Sequence, residues 1–157
     1  AILFQIAARD QRPVERQVDA LVRLGIAVSD GFIVNWRDKY RYDLLRPLTY
    51  IRRVIDPKWE ALLITPPFPE YPSGHSTQSG AVAQVLTAVF GEGFAFTDRT
   101  HVDDGLEARS FPDFWTAARE AGISRLYGGI HFRAAIDLGL DQGACVGDVV
   151  NALRTWR

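Results

Sequence analysis

Between Val14 and Tyr42 the apolar residues fall at Val18, Leu21, Val22, Leu24, Ile26, Val28, Phe32, Ile33 and Trp36. That spacing is helical. Pro13 suits a first helical turn, and Arg46-Pro47 stands just past the end. Gly25 and Gly31 leave open whether this is one helix or two. A second helix is expected from Ser73-Gly74-His75 to Phe90, with Gly91 as its stop and Val82, Val85, Leu86, Val89 and Phe90 as its stripe. A third runs from about Pro112 to Gly128, with Phe114, Trp115, Ala118, Ala121, Gly122 and Arg125 on one face. A fourth runs from about Arg133 to Trp156. On it Ala135, Gly139, Gly143 and Gly147 form a ridge without side chains, which lets another helix approach closely. Pro57, Pro66, Pro67, Pro69 and Pro72 make residues 48–73 a loop that cannot be helical for long. The polar, glycine-rich residues 91–110 are also expected to be loop. Strand-like alternation is absent, so the expected architecture is an all-α helical bundle, part of a larger one.

Composition narrows the classes. The 157 residues are 47% apolar and 24% charged, which suits one globular domain with a real core. Eighteen Lys and Arg against nineteen Asp and Glu give a net charge of −1, which argues against nucleic-acid binding. The single cysteine, Cys145, can form neither an internal disulfide nor a thiolate cage. No apolar run is long enough to be a transmembrane segment. The chain opens AILFQIAA, with no Met there or elsewhere and no basic stretch before it. This segment reads as the middle of a helix rather than a signal peptide. The expectation is a single helical catalytic domain over 1–157, the C-terminal fragment of a longer chain.

The chemically capable residues stand near helix ends. Lys39 and Arg46 flank the end of the first helix, Pro72-Ser73-Gly74-His75 opens the second, and Ser124-Arg125 closes the third. His131 follows Gly128-Gly129 at the entrance to the fourth. Taken singly, each has an ordinary reading: Lys39 a solvated helix residue, Arg46 and Arg125 surface ion pairs, Ser73 an N-cap, the histidines structural. His101, Asp103 and Asp104 are assigned no role. Jointly, two arginines, a lysine, a hydroxyl and a helix N-terminus form a donor-rich cup for a tetrahedral oxyanion. One imidazole could bond its central atom while the other moves protons.

The order and spacing Lys39…Arg46-Pro47, PSGH at 72–75 and Ser124-Arg125…His131 resemble the three-part signature of the vanadium-dependent haloperoxidases and the type 2 phosphatidic acid phosphatase superfamily. The resemblance covers roughly Trp36 to Gly143. It implies that Lys39, Arg46, Ser73, Gly74 and Arg125 hold the equatorial oxygens of vanadate, or of phosphate in the same site. His131 would be the axial vanadium ligand or, in a phosphatase, the phosphoryl acceptor, and His75 the acid–base residue. One position departs: the family commonly has Asp four residues after the last His, and here stands Ala135. A carboxylate orienting His131 must come from elsewhere or be missing, the nearest acids in sequence being Asp137 and Asp141. Trp36 and Phe68 occupy positions that resemble the halide pocket, Phe68 more in the manner of chloride-oxidising members. The expected function is a haloperoxidase that oxidises halide with hydrogen peroxide at a His-ligated vanadate, with Lys39 foremost in polarising the bound peroxide. The alternative is a soluble acid phosphatase working through a phospho-histidine, and a third possibility is a non-catalytic helical module. The resemblance also implies a homodimer and a periplasmic or secreted location.

Overall fold

The computed structural model describes residues 1–155. Six helices and one short hairpin follow in the order α1 (Ile2–Asp10), α2 (Val14–Tyr42), α3 (Pro47–Val54), α4 (Gly74–Phe90), β1 (Phe96–Asp98), β2 (Arg109–Phe111), α5 (Phe114–Tyr127) and α6 (Arg133–Asn151). The central helix is α4, against which α6, α5 and α2 all pack. Its inner residues Ala81, Val85 and Leu86 are at most 2% exposed. Each buried Val or Leu contributes about 1.5–3 kcal/mol by leaving water.

The glycine ridge does what its spacing suggests. A side chain at Gly143 would meet the backbone nitrogen of Ala81 at 2.7 Å, and one at Gly139 would meet Ser73 O at 3.0 Å. Helices α4 and α6 are therefore in backbone contact, and Ser73 N–H donates to Ala135 O at 2.9 Å. This seam fixes the N-terminus of α4 against that of α6. Gly25 and Gly31 do not break α2, which is one helix. Gly31 faces Ala81 and Thr77 of α4. The apolar opening segment is helical, as expected, and buries Leu3 and Ile6 against Leu86, Phe96 and Phe114.

Three expectations need correction. Residues 91–110 are not all loop: β1 and β2 pair antiparallel, Phe96 opposite Phe111. Three-residue strands are too short to show a period in sequence, and their pairing rests on Phe96 packing on Phe111 and Phe114 at 5.4 and 5.0 Å. The segment after Arg46 is not loop from residue 48 onward, because α3 fills 47–54 with Pro47 in its first turn. The prolines that forbid helix begin only at Pro57. Finally, α6 stops at Asn151, short of the expected Trp156, which lies outside the described residues. The Arg23 guanidinium donates to the carbonyls of Val150, Asn151 and Leu153, all at 3.1 Å, and takes up the C-terminal acceptors.

Candidate active site

Four chain segments meet over a cavity of about 170 Å³. Helix α2 contributes Trp36 and Lys39, one turn apart on its inner face, and Arg46 follows as the N-cap residue of α3. The proline-rich loop brings Phe68, the start of α4 brings Gly74 and His75, and the entrance to α6 brings Ile130 and His131. The last turn depends on glycine. Gly129 has φ +73°, and a side chain there would lie 2.9 Å from the Trp59 ring. Leu63 N–H donates to Gly128 O at 3.0 Å, so the loop clasps the turn that delivers His131.

Arg46 is the hub. Its Nε donates to Phe68 O at 2.9 Å and its Nη1 to Ile130 O at 2.8 Å. Nη1 also lies 3.1 Å from Nε2 of His131. Its Nη2 is buried and has no partner. Such an orphaned charged donor is costly unless something accepts from it. The guanidinium lies 4.9 Å from the Phe68 ring centre and the Lys39 ammonium 5.4 Å from it, so one ring faces both cations. Trp36 meets Phe68 edge-on at 4.6 Å.

Lys39 is only 1% exposed. Its three N–H groups go to the carbonyls of Pro69 at 3.1 Å, Glu70 at 3.0 Å and Pro72 at 2.5 Å. An anion in the cavity reaches an N–H of Lys39 only if one of these carbonyls gives way. Burial first, and then the Arg46 charge, lower this lysine to about 8, with Glu70 acting the other way.

Both imidazoles are held below their ordinary pKa. For His75 the causes are burial and then the charges of Arg125 and Lys39. For His131 burial is the largest cause, opposed by the hydrogen bond it makes to Glu70 and reinforced by Arg46. His75 is on the solvent side, its Nε2 3.5 Å from Nη1 of Arg125. Ser73 and Arg125 are not in the cavity wall. Ser73 is fully buried as the N-cap of α4, its Oγ accepting from Ser76 N at 3.4 Å. Arg125 stands behind His75, its Nε bonded to Ser124 Oγ at 3.0 Å. His101 is exposed in the hairpin loop, its ring Nδ1 2.9 Å from Asp104 Oδ2.

The residue the sequence reasoning passed over is Glu70. It is 2% exposed, and its Oε1 lies 2.8 Å from Nδ1 of His131 and accepts from Phe132 N at 2.9 Å. The only hint in sequence is a lone acid among prolines two residues before the PSGH turn. Asp137, one of the two acids nearest in sequence, instead pairs with Arg133 at 4.0 Å. A larger cavity of about 560 Å³, lined by Leu3, Arg12 and Phe90 among others, shares no residue with this site and contains no imidazole.

Comparison with known proteins agrees with the fold. The model of the VCPO second helical-bundle domain matches residues 19–58 and 53–155. The vanadium chloroperoxidase of Curvularia inaequalis is 36% identical over 76 residues, covering 39% of this chain and 12% of that protein. A bacterial vanadium-dependent iodoperoxidase of known structure superimposes with a TM-score of 0.90 at 49% identity, over 94% of this chain and 36% of that one. A holo-type bacterial vanadium-dependent chloroperoxidase shares the fold at a TM-score of 0.69 and 24% identity, over 82% of this chain and 34% of that one. The chain thus spans about a third of the length of these structural relatives and about an eighth of the curated one.

Proposed function

The chain belongs to the family of VCPO second helical-bundle domains, and from that membership we propose that it carries the vanadate site of a vanadium-dependent haloperoxidase. The observation that carries the proposal is the buried, partnerless Nη2 of Arg46, whose other terminal nitrogen, Nη1, faces Nε2 of His131, both residues lining one small cavity. An oxyanion is the guest that this donor set fits. It would satisfy the orphaned N–H, and each charge-assisted bond would add about 1.5–3 kcal/mol. Among the described residues no group of three or more His, Cys, Asp or Glu could hold a metal ion, so the guest would be gripped through its oxygens and one imidazole.

In this reading Arg46 and the N–H of Gly74 hold vanadate oxygens, with Lys39, Ser73 and Arg125 completing the set after small side-chain movements. His131 would hold the guest through Nε2, the ring nitrogen on the Arg46 side. Vanadate, when bound, supplies the electrophilic centre at which hydrogen peroxide is activated toward halide. The lowered pKa of His75 would leave its imidazole free to accept a proton from peroxide and to give it up again. Trp36 and Phe68 form an apolar wall on which a weakly hydrated halide can rest. Similarity to an iodoperoxidase makes iodide the first halide to test.

The test is halogenation of a phenolic dye by the protein with peroxide and iodide or bromide, with and without vanadate, beside hydrolysis of an aryl phosphate. Halogenation that requires vanadate is expected. Ester hydrolysis without vanadate, and no halogenation, would overturn the proposal in favour of the phosphatase chemistry.

A further inference from the structure

Whatever guest His131 receives, its ring must present a bare nitrogen to the cavity. Arg46 Nη1 faces Nε2 at 3.1 Å, and a guanidinium can only donate. Nε2 must therefore hold a lone pair and the ring proton must sit on Nδ1. The atom facing Nδ1 is Oε1 of Glu70, at 2.8 Å. That oxygen also accepts the Phe132 N–H at 2.9 Å. The carboxylate is fixed at its base as well: Glu70 N–H donates to Leu44 O at 2.9 Å, and Glu70 O accepts from Lys39 Nζ at 3.0 Å. One residue of the proline-rich loop thus holds the histidine through its side chain and the lysine through its backbone. The helical position four residues after His131, where a carboxylate could also approach the ring, is Ala135.

We propose that Glu70 is the positioning residue of the site, locking His131 in the Nδ1–H tautomer so that Nε2 is bare and aimed at the bound oxyanion. It does not touch the guest. It acts through the imidazole, whose basicity its negative charge raises, as carboxylates do behind metal-bound histidines. Its loop position, across a sequence gap of 61 residues, leaves position 135 of α6 to a small alanine, whose carbonyl takes the Ser73 N–H at the start of α4. The inference rests on the proposed function only for the identity of the guest.

The test uses two substitutions. In Glu70→Gln the amide oxygen can still accept from Nδ1–H and from Phe132 N–H, but the charge is lost. In Glu70→Ala both hydrogen bonds lose their acceptor. Ring ¹⁵N shifts of His131, measured without any anion, report the tautomer. Titration calorimetry with orthovanadate, and separately with inorganic phosphate, reports affinity, and circular dichroism confirms the helices. The wild type should show the proton on Nδ1. Glu70→Gln should keep that tautomer and bind vanadate several-fold more weakly. Glu70→Ala should lose the single tautomer, with vanadate affinity down by about 10–100-fold. Wild-type tautomer and affinity in a folded Glu70→Ala protein would overturn the proposal, as would a wild-type proton on Nε2. Loss of halogenation with the tautomer and affinities behaving as stated would count against the proposed function alone.

Discussion

Lys39 is charged and buried, and the two facts set opposite pH dependences. Its pKa falls from 10.5 to about 8 on folding. At about 1.4 kcal/mol per unit, burying the ammonium costs about 3 kcal/mol. Below pH 8 both states are protonated and folding bears that cost in full. Between pH 8 and 10.5 the unfolded chain holds the proton longer, so this residue's contribution to stability rises with pH. Anion binding moves the other way, since the cup loses a charge as pH passes about 8. Phosphate affinity measured by calorimetry from pH 7 to 9.5 should therefore fall, and Lys39→Arg should flatten the profile. The two histidines act in the acid range. Both are lowered by burial, so the unfolded chain takes up protons first as pH drops below their ordinary value, about 6.5. Melting temperature should drop between pH 7 and 5, and less in His75→Ala. Arg46→Lys keeps the charge but cannot reproduce the fork that reaches Phe68 O, Ile130 O and His131 together. Its phosphate affinity should fall at least about tenfold, the equivalent of one charge-assisted bond of about 1.5 kcal/mol.

At the scale of elements, the α4–α6 seam carries the site, because the two helix N-termini it joins hold Gly74 and His131. Gly143→Ala would press a methyl group onto the backbone of α4, 2.7 Å from Ala81 N. A stability loss of about 3 kcal/mol is expected in urea unfolding, with weaker anion binding as the termini part. Gly25→Ala meets nothing within 4 Å, so it should stabilise α2 by about 0.5–1 kcal/mol. These elements were legible because each announced itself locally: a 3.6-residue stripe, a proline at one end, a glycine at the other. The ends of α2, α4 and α5 lie within two residues of where Pro13, Ser73, Gly91 and Gly128 put them. The misses are non-local. Arg23 ends α6 from more than a hundred residues away, the hairpin exists through ring packing, and α3 hides in a proline-rich segment. The same division runs through the site. Lys39, Arg46, His75 and His131, singled out by type and spacing, line one cavity. Glu70 was not singled out, because what joins it to them is a contact with a residue 61 positions on. Nor does any pattern show that three carbonyls hold the Lys39 ammonium.

At the scale of the whole molecule, the chain presents much apolar surface. Val14, Val18, Leu21 and Val22 lie exposed along the first turns of α2, and Ile64 is 96% exposed. Faces of this kind mark contact surfaces. The polypeptide 1–157 by itself should bind an apolar fluorescent dye and elute above its monomer mass in light scattering. A dye-free monomer would count against these faces as contact surfaces. No described helix is long and apolar enough to cross a membrane. What remains is the convergence of helix ends and loop on one small cavity, the proposed anion site. Its most direct test is a calorimetric vanadate titration of the wild type, His75→Ala and His131→Ala. The wild type and His75→Ala should each bind one vanadate that phosphate displaces, and His131→Ala should bind none. Equal binding by all three, or none by the wild type, would contradict it.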